Sequence, residues 1–123
     1  IKQDDITING DGTTSRDFCY IDNVVQANIL SATSNLSNHE VFNIAVGDRT
    51  SLKTLFDLIK ISLKNRQVNY SKNVNFADFR PGDVLHSQAD ISKAIKLLSY
   101  SPTHNIIDGI EETASWYTSL AKE

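Results

Sequence analysis

The chain has 123 residues, of which 40% are hydrophobic and 22% are charged, so it suits one modest domain and is too short for two. Twelve basic and fifteen acidic side chains give a net charge of −3, which disfavours nucleic acid or an anionic membrane surface as a partner. The sequence shows neither an apolar run long enough to cross a membrane nor a signal segment. These features predict a soluble, cytoplasmic protein.

The start of the sequence and its sulfur content are unusual. The chain contains no methionine and begins at Ile1 with residues that resemble the middle of a fold, so we expect it to be a piece of a longer protein. The single cysteine, Cys19, has no partner for an internal disulfide and stands between two aromatic residues. Its predicted role is that of a small buried hydrophobic residue.

The first half of the chain alternates between strand and helix patterns. Residues 4–9 alternate polar with apolar side chains and precede Gly10-Asp11-Gly12, which predicts a strand entering a tight turn. From Tyr20 apolar residues recur at helical spacing, with Asp22 as the predicted N-cap. The mostly apolar run 41–46 predicts a strand buried on both faces, as in a parallel sheet.

The second half predicts three helices and two weaker strands. The first of these helices has Thr50 or Ser51 as its N-cap and an apolar stripe along one face. Residues 68–70 and 74–79 are the weaker strand candidates, and residues 80–83 suit a type II turn. Asp90 is predicted to cap a helix that ends before Pro102, and the last helix carries apolar residues between 107 and 121.

Several kinds of chemistry lack their sequence patterns. The histidines His39, His86 and His104 lie far apart, without a second ligand at metal-binding spacing. The Gly10-Asp11-Gly12 segment resembles the start of a dinucleotide-binding loop but has Ser15 where the third glycine would stand, so we interpret it as a turn. No tyrosine is followed four residues later by a lysine.

Two arginines occupy settings that suit an anion. Arg16 follows a polar turn, and Arg80 precedes a Pro-Gly turn with Asp83 just beyond it. The planar fork of arginine matches phosphate oxygens, and a carboxylate accepts hydrogen bonds from ribose hydroxyls, so the three side chains could hold a nucleoside diphosphate. The alternative is a set of ordinary ion pairs, Arg16 with Asp17 or Asp22 and Arg80 with Asp83.

The order of five short blocks is similar to the carboxy-terminal part of a known family. These blocks are GDGTTSRDFCYIDNVVQA at 10–27, FNIA at 42–45, RPGD at 80–83, ADISKA at 89–94 and GIEE at 109–112. Together they resemble the extended short-chain dehydrogenases/reductases that act on nucleotide sugars, and most of all bacterial UDP-N-acetylglucosamine 4-epimerases. The resemblance covers essentially the whole chain. It implies an α/β fold, with the last parallel strand and helices of an extended Rossmann-type enzyme plus a small substrate-binding lobe.

The resemblance also implies roles for five residues. Arg16 and Arg80 would bind the UDP phosphates, and Asp83 would bind the ribose. Ser87 matches a position of the sugar pocket where a bulky aromatic excludes N-acetylated sugars, so a serine there favours N-acetylhexosamines. Thr7 stands where close relatives often place an aromatic near the nucleotide, which weakens the expectation of uridine stacking by this strand.

The resemblance also implies that two of the family's motifs lie outside the 123 residues. The family's Gly-x-x-Gly-x-x-Gly loop and Tyr-x-x-x-Lys pair normally lie upstream, in an NAD-binding Rossmann half. We therefore expect residues 1–123 to form the substrate-binding portion of an NAD-dependent 4-epimerase for polysaccharide precursors. On its own, that portion would be inactive. The parent would bind a UDP-sugar and form a homodimer. Two alternatives remain open: a portion of a 4,6-dehydratase or UDP-glucuronate decarboxylase, and a freestanding, non-catalytic UDP-sugar-binding module.

Overall fold

The computed structural model of the protein describes residues 3–121 as four helices and four short strands within that range. In chain order they are β1 (Ile6–Asn9), β2 (Ser15–Arg16), α1 (Ile21–Thr33), β3 (Thr50–Ser51), α2 (Leu52–Asn65), β4 (Val74–Ala77), α3 (Ser92–Leu98) and α4 (Ile106–Leu120). The predicted α/β class and the predicted positions of all four helices are confirmed.

The strands form two small sheets that meet at the Gly10–Gly12 turn. Strand β1 pairs in parallel with β4, in a register that sets Ile6 opposite Val74 and Asn9 opposite Ala77. Strand β2 pairs antiparallel with β3, and Ser15 also forms an isolated parallel bridge with His86. The long segment between β4 and α3 is thereby attached to the start of the chain.

Side chains at the helix ends decide where two of the helices begin. The Ser51 hydroxyl accepts a hydrogen bond from the Thr54 backbone N–H at 3.0 Å, which confirms Ser51 as the cap of α2. Asn105 and Asp108 form a capping box at the start of α4. The prediction of Asp22 as the N-cap of α1 was wrong: Tyr20 holds that position without a side-chain cap, and Asp22 lies inside the first turn.

The third helix and the turn before it follow the sequence pattern. The Asp83 N–H donates to the Arg80 carbonyl at 3.1 Å, and Gly82 has a φ of +79°, as a type II turn requires. The prediction of Asp90 as the N-cap was wrong by one residue: Ile91 holds that position without a side-chain cap. The Asp90 carboxylate still accepts from the Ser92 N–H at 2.9 Å, and hydrogen bonds from Ser92 lower the pKa of Asp90. The helix ends at Leu98, before Pro102 as predicted.

Two predicted strands are not formed. Residues 41–46 belong to neither of the two sheets formed within the range 3–121, and the backbone bends at Ala45. Side chains bind their backbone instead: the Tyr100 hydroxyl donates to the Ala45 carbonyl at 2.8 Å, and Asp17 accepts from the Val46 N–H at 3.0 Å. Residues 68–70 are also outside any strand, and the second weak prediction is realised only over Val74–Ala77.

The core lies between α1, α3 and residues 42–45. Its buried members are Ala27, Ala94, Leu98 and Tyr100, with Leu30, Leu36, Phe42, Ile44 and Ile91 packed around them. Burial raises the pKa of Tyr100 to about 12, so this phenol stays protonated at neutral pH. Cys19 is only half-buried, and burial raises the pKa of its thiol.

The predicted apolar face of α1 does not enter this core. Ile21, Val25 and Ile29 are 59%, 45% and 59% exposed, whereas Asn23 and Ala27 on the other side of the helix are buried. The buried Asn23 amide bonds the loop before α4 through the His104 carbonyl and three donors of residues 103 and 104. No helix in the described range is long and apolar enough to span a bilayer.

Candidate two-arginine site

The Asp11 side chain closes the Gly10–Gly12 turn, so the turn is not shaped to hold a dinucleotide. The Asp11 carboxylate accepts from the Thr13 N–H at 2.9 Å and from the Thr13 hydroxyl at 2.6 Å, which lowers the pKa of Asp11. Gly10 has a φ of +85°, a conformation that favours glycine. The helix that follows in the chain begins only at Ile21, and the first N–H groups of α2, at Leu52 and Lys53, already donate to the Thr14 and Gly12 carbonyls.

Arg16 and Asp83 lie together although they are 67 residues apart in the chain. Arg16 Nη2 lies 2.7 Å from Asp83 Oδ1, and the two side chains are 29% and 42% exposed. Arg16 Nη1 donates to the Ser15 carbonyl at 2.9 Å and, more weakly, to the Leu85 carbonyl at 3.4 Å. The structure thus contains an ion pair of Arg16, but with Asp83 rather than with Asp17 or Asp22.

Arg80 points toward the end of β1. When the Asn9 amide is oriented with its oxygen toward the guanidinium, that oxygen accepts from Arg80 Nε at 2.9 Å and from Nη2 at 3.0 Å. Thr7 and Asn9 share one face of β1 because side chains alternate along a strand. The alternative pairing of Arg80 with Asp83 is absent from the described ion pairs, which assign Asp83 to Arg16.

Ser87 follows Asp83 on a segment attached directly to β2. Its N–H donates to the Ser15 carbonyl at 3.1 Å, and the Ser15 N–H donates to the Leu85 carbonyl at 2.8 Å. The side chain of Ser87 is exposed. We use the name two-arginine site for Arg16, Arg80, Asp83 and Ser87, which the structure brings to neighbouring positions around the 80–83 turn.

Sequence reasoning missed the roles of four residues that hold this arrangement. Asn9 orients Arg80, and Ser15 and His86 are joined through Ser15 Oγ and His86 Nδ1 at 2.9 Å. Asp17, considered in the sequence only as an ion-pair partner, accepts hydrogen bonds from backbone N–H groups of residues 46, 47 and 89. Each of these contacts joins residues more than 25 positions apart, so no local spacing could have revealed them.

A cavity elsewhere in the molecule offers different chemistry. It lies between the start of α1, α2 and α4, has a volume of about 530 Å³ and is lined by apolar or neutral side chains such as Leu55, Ile59 and Ile110. No charged residue belongs to its lining, so it provides no counter-charge for a diphosphate. The charged groups suited to a nucleotide are those of the two-arginine site.

Comparison with known proteins identifies the class to which this fold and site belong. The family model described as GDP-mannose 4,6 dehydratase matches residues 1–113. Together with the α/β fold, this match confirms the resemblance found in the sequence: the chain belongs to the NAD-dependent epimerase/dehydratase family of extended short-chain dehydrogenases/reductases.

Three solved structures are similar to the chain. A UDP-glucose 4-epimerase of Thermotoga maritima with UDP-glucose is 32% identical with a TM-score of 0.85, over 97% of this chain and 36% of that one. A Bacillus cereus UDP-glucuronic acid 4-epimerase with its UDP-sugar and NAD is 32% identical with a TM-score of 0.83, over 96% and 36%. A Methanobrevibacter ruminantium UDP-N-acetylglucosamine 4-epimerase with UDP-N-acetylmuramic acid is 36% identical with a TM-score of 0.78, over 94% and 35%.

The chain matches only part of its relatives. It spans about a third of the length of the curated proteins that it resembles. The matched third corresponds to the carboxy-terminal portion of the epimerase structures.

Proposed function

We propose that residues 1–123 form the UDP-sugar-binding portion of an NAD-dependent 4-epimerase that interconverts UDP-N-acetylglucosamine and UDP-N-acetylgalactosamine for polysaccharide synthesis. The observation that carries the proposal is the contact between Arg16 and Asp83, which unites the RDF and RPGD blocks in one site. Similar proteins of solved structure hold UDP-sugars, which supports the same ligand class here.

Arg16 and Arg80 bind the diphosphate in this proposal. A guanidinium has five N–H donors, more than the three hydrogen bonds that Arg16 makes in the described part of the chain, so donors remain for phosphate oxygens. Asn9 fixes the orientation of Arg80 before ligand arrives, which reduces the entropy lost on binding. Asp83 keeps a second carboxylate oxygen for the ribose hydroxyls while Oδ1 bonds Arg16.

The proposal assigns NAD to the whole protein and not to these 123 residues. The Gly10–Gly12 turn does not fit the cofactor, since Asp11 closes it and a two-residue strand, not a helix, follows it. In the whole enzyme, bound NAD would supply the hydride acceptor and donor for epimerisation at C4 of the sugar. The 123-residue portion positions the UDP-sugar, is inactive alone and functions within a homodimer.

The nucleotide assignment is tested by arginine replacement in the complete protein that contains this chain. Arg16→Ala and Arg80→Ala each remove a charge-assisted hydrogen bond to phosphate, so we expect UDP to bind roughly 10- to 100-fold more weakly in calorimetry. Arg49→Ala is the matched control, because Arg49 is an exposed arginine outside the two-arginine site. UDP binding as tight as that of the wild type in both arginine variants would contradict the proposal.

The sugar assignment is tested at Ser87. Ser87→Tyr adds a large side chain where we place the acetamido group, so kcat/KM for UDP-N-acetylglucosamine should fall at least about tenfold more than for UDP-glucose. Ser101→Tyr controls for the added aromatic ring, since Ser101 is also an exposed serine but precedes α4. Equal losses on both substrates would remove Ser87 from the sugar pocket.

A second candidate substrate is UDP-glucuronic acid. It is favoured by a relative named UDP-glucuronate 4-epimerase from Thermodesulfobacterium geofontis, 32% identical over 112 residues. The dehydratase name of the family model leaves a 4,6-dehydratase as the other reaction of this class. Product analysis with UDP-N-acetylglucosamine, UDP-glucose and UDP-glucuronic acid as separate substrates distinguishes these activities.

A further inference from the structure

His86 has a contact that the proposed function leaves unexplained. It lies three residues after Asp83 and directly before Ser87, and its Nδ1 is 2.9 Å from Ser15 Oγ. Ser15 is 5% exposed and directly precedes Arg16. The contact therefore joins two chain neighbours of the two-arginine site, because Ser15 precedes Arg16 and His86 precedes Ser87.

The backbone around this contact forms little regular β-sheet. Ser15 makes two main-chain hydrogen bonds to the segment, one to Leu85 and one from Ser87, and the pairing is an isolated bridge rather than a ladder. Residues 81–88 are all exposed, so little apolar burial holds them in place. The side-chain hydrogen bond to the buried Ser15 hydroxyl is then one of the polar contacts that fix the segment, beside those of Arg16 with Asp83 and of Gln88 with the Gly47 carbonyl.

We propose that His86 is a positioning residue: through Ser15 it holds Asp83 and Ser87 at the correct place relative to Arg16, and so sets both UDP-sugar affinity and sugar selectivity. This inference rests on the proposed function of the two-arginine site. Because His86 acts through another residue, its removal should change ligand binding and discrimination rather than the chemical step.

The test uses four variants of the complete protein: His86→Ala, His86→Asn, Ser15→Ala and the Ser15→Ala/His86→Ala double variant. His86→Asn places a polar amide atom near the position of Nδ1 and can keep the hydrogen bond, whereas alanine cannot. Ser15→Ala is a small change at a buried site, so it reports on the contact even where His86→Ala unfolds the protein. Thermal unfolding of each variant is measured alongside.

The matched control is His104→Ala. His104 also has its Nδ1 2.9 Å from a hydroxyl, that of Thr103, but lies before α4 and outside the two-arginine site. The His104→Ala substitution removes a histidine–hydroxyl hydrogen bond without changing the segment that carries Asp83 and Ser87.

We expect His86→Ala and Ser15→Ala each to raise KM for UDP-N-acetylglucosamine about 3- to 10-fold with kcat within about 2-fold. The preference for this substrate over UDP-glucose should fall by a similar factor, and the double variant should be no worse than either single variant. His86→Asn and His104→Ala should stay close to the wild type.

Three results would overturn the inference. If the wild type binds UDP and both alanine variants keep wild-type KM and selectivity, His86 does not position the site, while the proposed function stands. If the two single effects add in the double variant, the residues act independently. If the wild type itself does not bind UDP, the proposed function fails and this inference fails with it.

Discussion

Asp17 joins three parts of the chain through one carboxylate. It accepts from the Val46 N–H at 3.0 Å on Oδ1, and from the Gly47 N–H at 3.0 Å and the Ala89 N–H at 3.3 Å on Oδ2. All three partners are donors, and an ionised carboxylate can only accept. Asp17 is therefore a residue for which even the nearly isosteric asparagine is a poor substitute.

We expect Asp17→Asn to lower the free energy of unfolding by about 1–3 kcal/mol, because one amide NH₂ would face backbone N–H groups and leave them unsatisfied. Urea unfolding of the complete protein measures this change. Asp22→Asn is the control, since Asp22 is exposed in the first turn of α1 and its replacement should cost less than about 0.5 kcal/mol. Equal stability of the two variants would show that Asp17 does not hold these segments.

Single residues were predictable from the sequence where their partners are close in the chain. Ser51 bonds the Thr54 N–H three positions away, so the sequence alone located this cap. Asp90 bonds the Ser92 N–H, but the N-cap of α3 is the next residue, Ile91. The prediction of Asp22 as the cap of α1 was wrong because Tyr20, an aromatic residue with no capping side chain, holds the N-cap position. A local sequence pattern does not distinguish between helix starts that lie one or two residues apart. The partner of Arg16 lies too far along the chain for spacing to reveal it.

At the scale of elements, an ion pair joins the end of α2 to α4. Arg66, the residue after α2, bonds the Glu111 carboxylate through Nη1 and the Glu111 carbonyl through Nη2 at 2.7 Å. Its Nη1 also donates to the hydroxyl of Ser62, which is 1% exposed. Hydrogen bonds from Arg66 and Ser62 lower the pKa of Glu111 below its ordinary value of 4.5.

A lowered carboxyl pKa makes this contact sensitive to acid. Its stabilisation is fully present above pH 4.5, the ordinary value, and is lost as the pH falls through the lower pKa of the folded state. We expect Glu111→Gln to reduce the melting temperature at neutral pH and to flatten its decline in acid, as measured by thermal unfolding between about pH 7 and about pH 3.

The neighbouring Glu112→Gln is the matched control for this prediction, because Glu112 is on the same helix but exposed. It should leave the acid decline unchanged. A wild-type pH profile in the Glu111→Gln variant would mean that the ion pair does not stabilise the packing of α4 on α2.

Helices were better predicted than strands, for a physical reason. A helix satisfies its backbone within one segment, so periodicity and caps define α2 and α4 from the sequence. A strand depends on a neighbour, and residues 41–46 have the apolar composition of a buried strand without a paired strand in the range 3–121. Tyr100 and Asp17 bond part of their backbone instead.

At the scale of the whole molecule, α1 presents apolar side chains to solvent. Ile21, Val25 and Ile29 are each separated by four residues and form one stripe, which we call the α1 stripe. The sequence predicted this face as a packing face, and exposed apolar surface is expected if the chain is a portion of a longer protein. Exposed apolar stripes of this kind favour association.

We expect the 123-residue chain to self-associate through the α1 stripe, and Val25→Ser/Ile29→Ser to shift its mass in sedimentation toward the monomer value of 13.7 kDa. The physical reason is that serine removes apolar surface whose burial drives association. Asn28→Ser is the control, since Asn28 is exposed on the same helix and already polar. An unchanged mass distribution in the double variant would exclude the stripe as the associating surface.

The sequence by itself determined the four helices, the Ser51 cap of α2, the 80–83 turn and the family, because these depend on residues close together or on blocks in a given order. Only the tertiary structure decided that Arg16 pairs with Asp83, that Asn9 orients Arg80 and that residues 41–46 stay outside a sheet. The difference is one of range: backbone propensity and capping act within a few residues, whereas ion pairs and strand pairing depend on which distant segments the fold brings within hydrogen-bond distance.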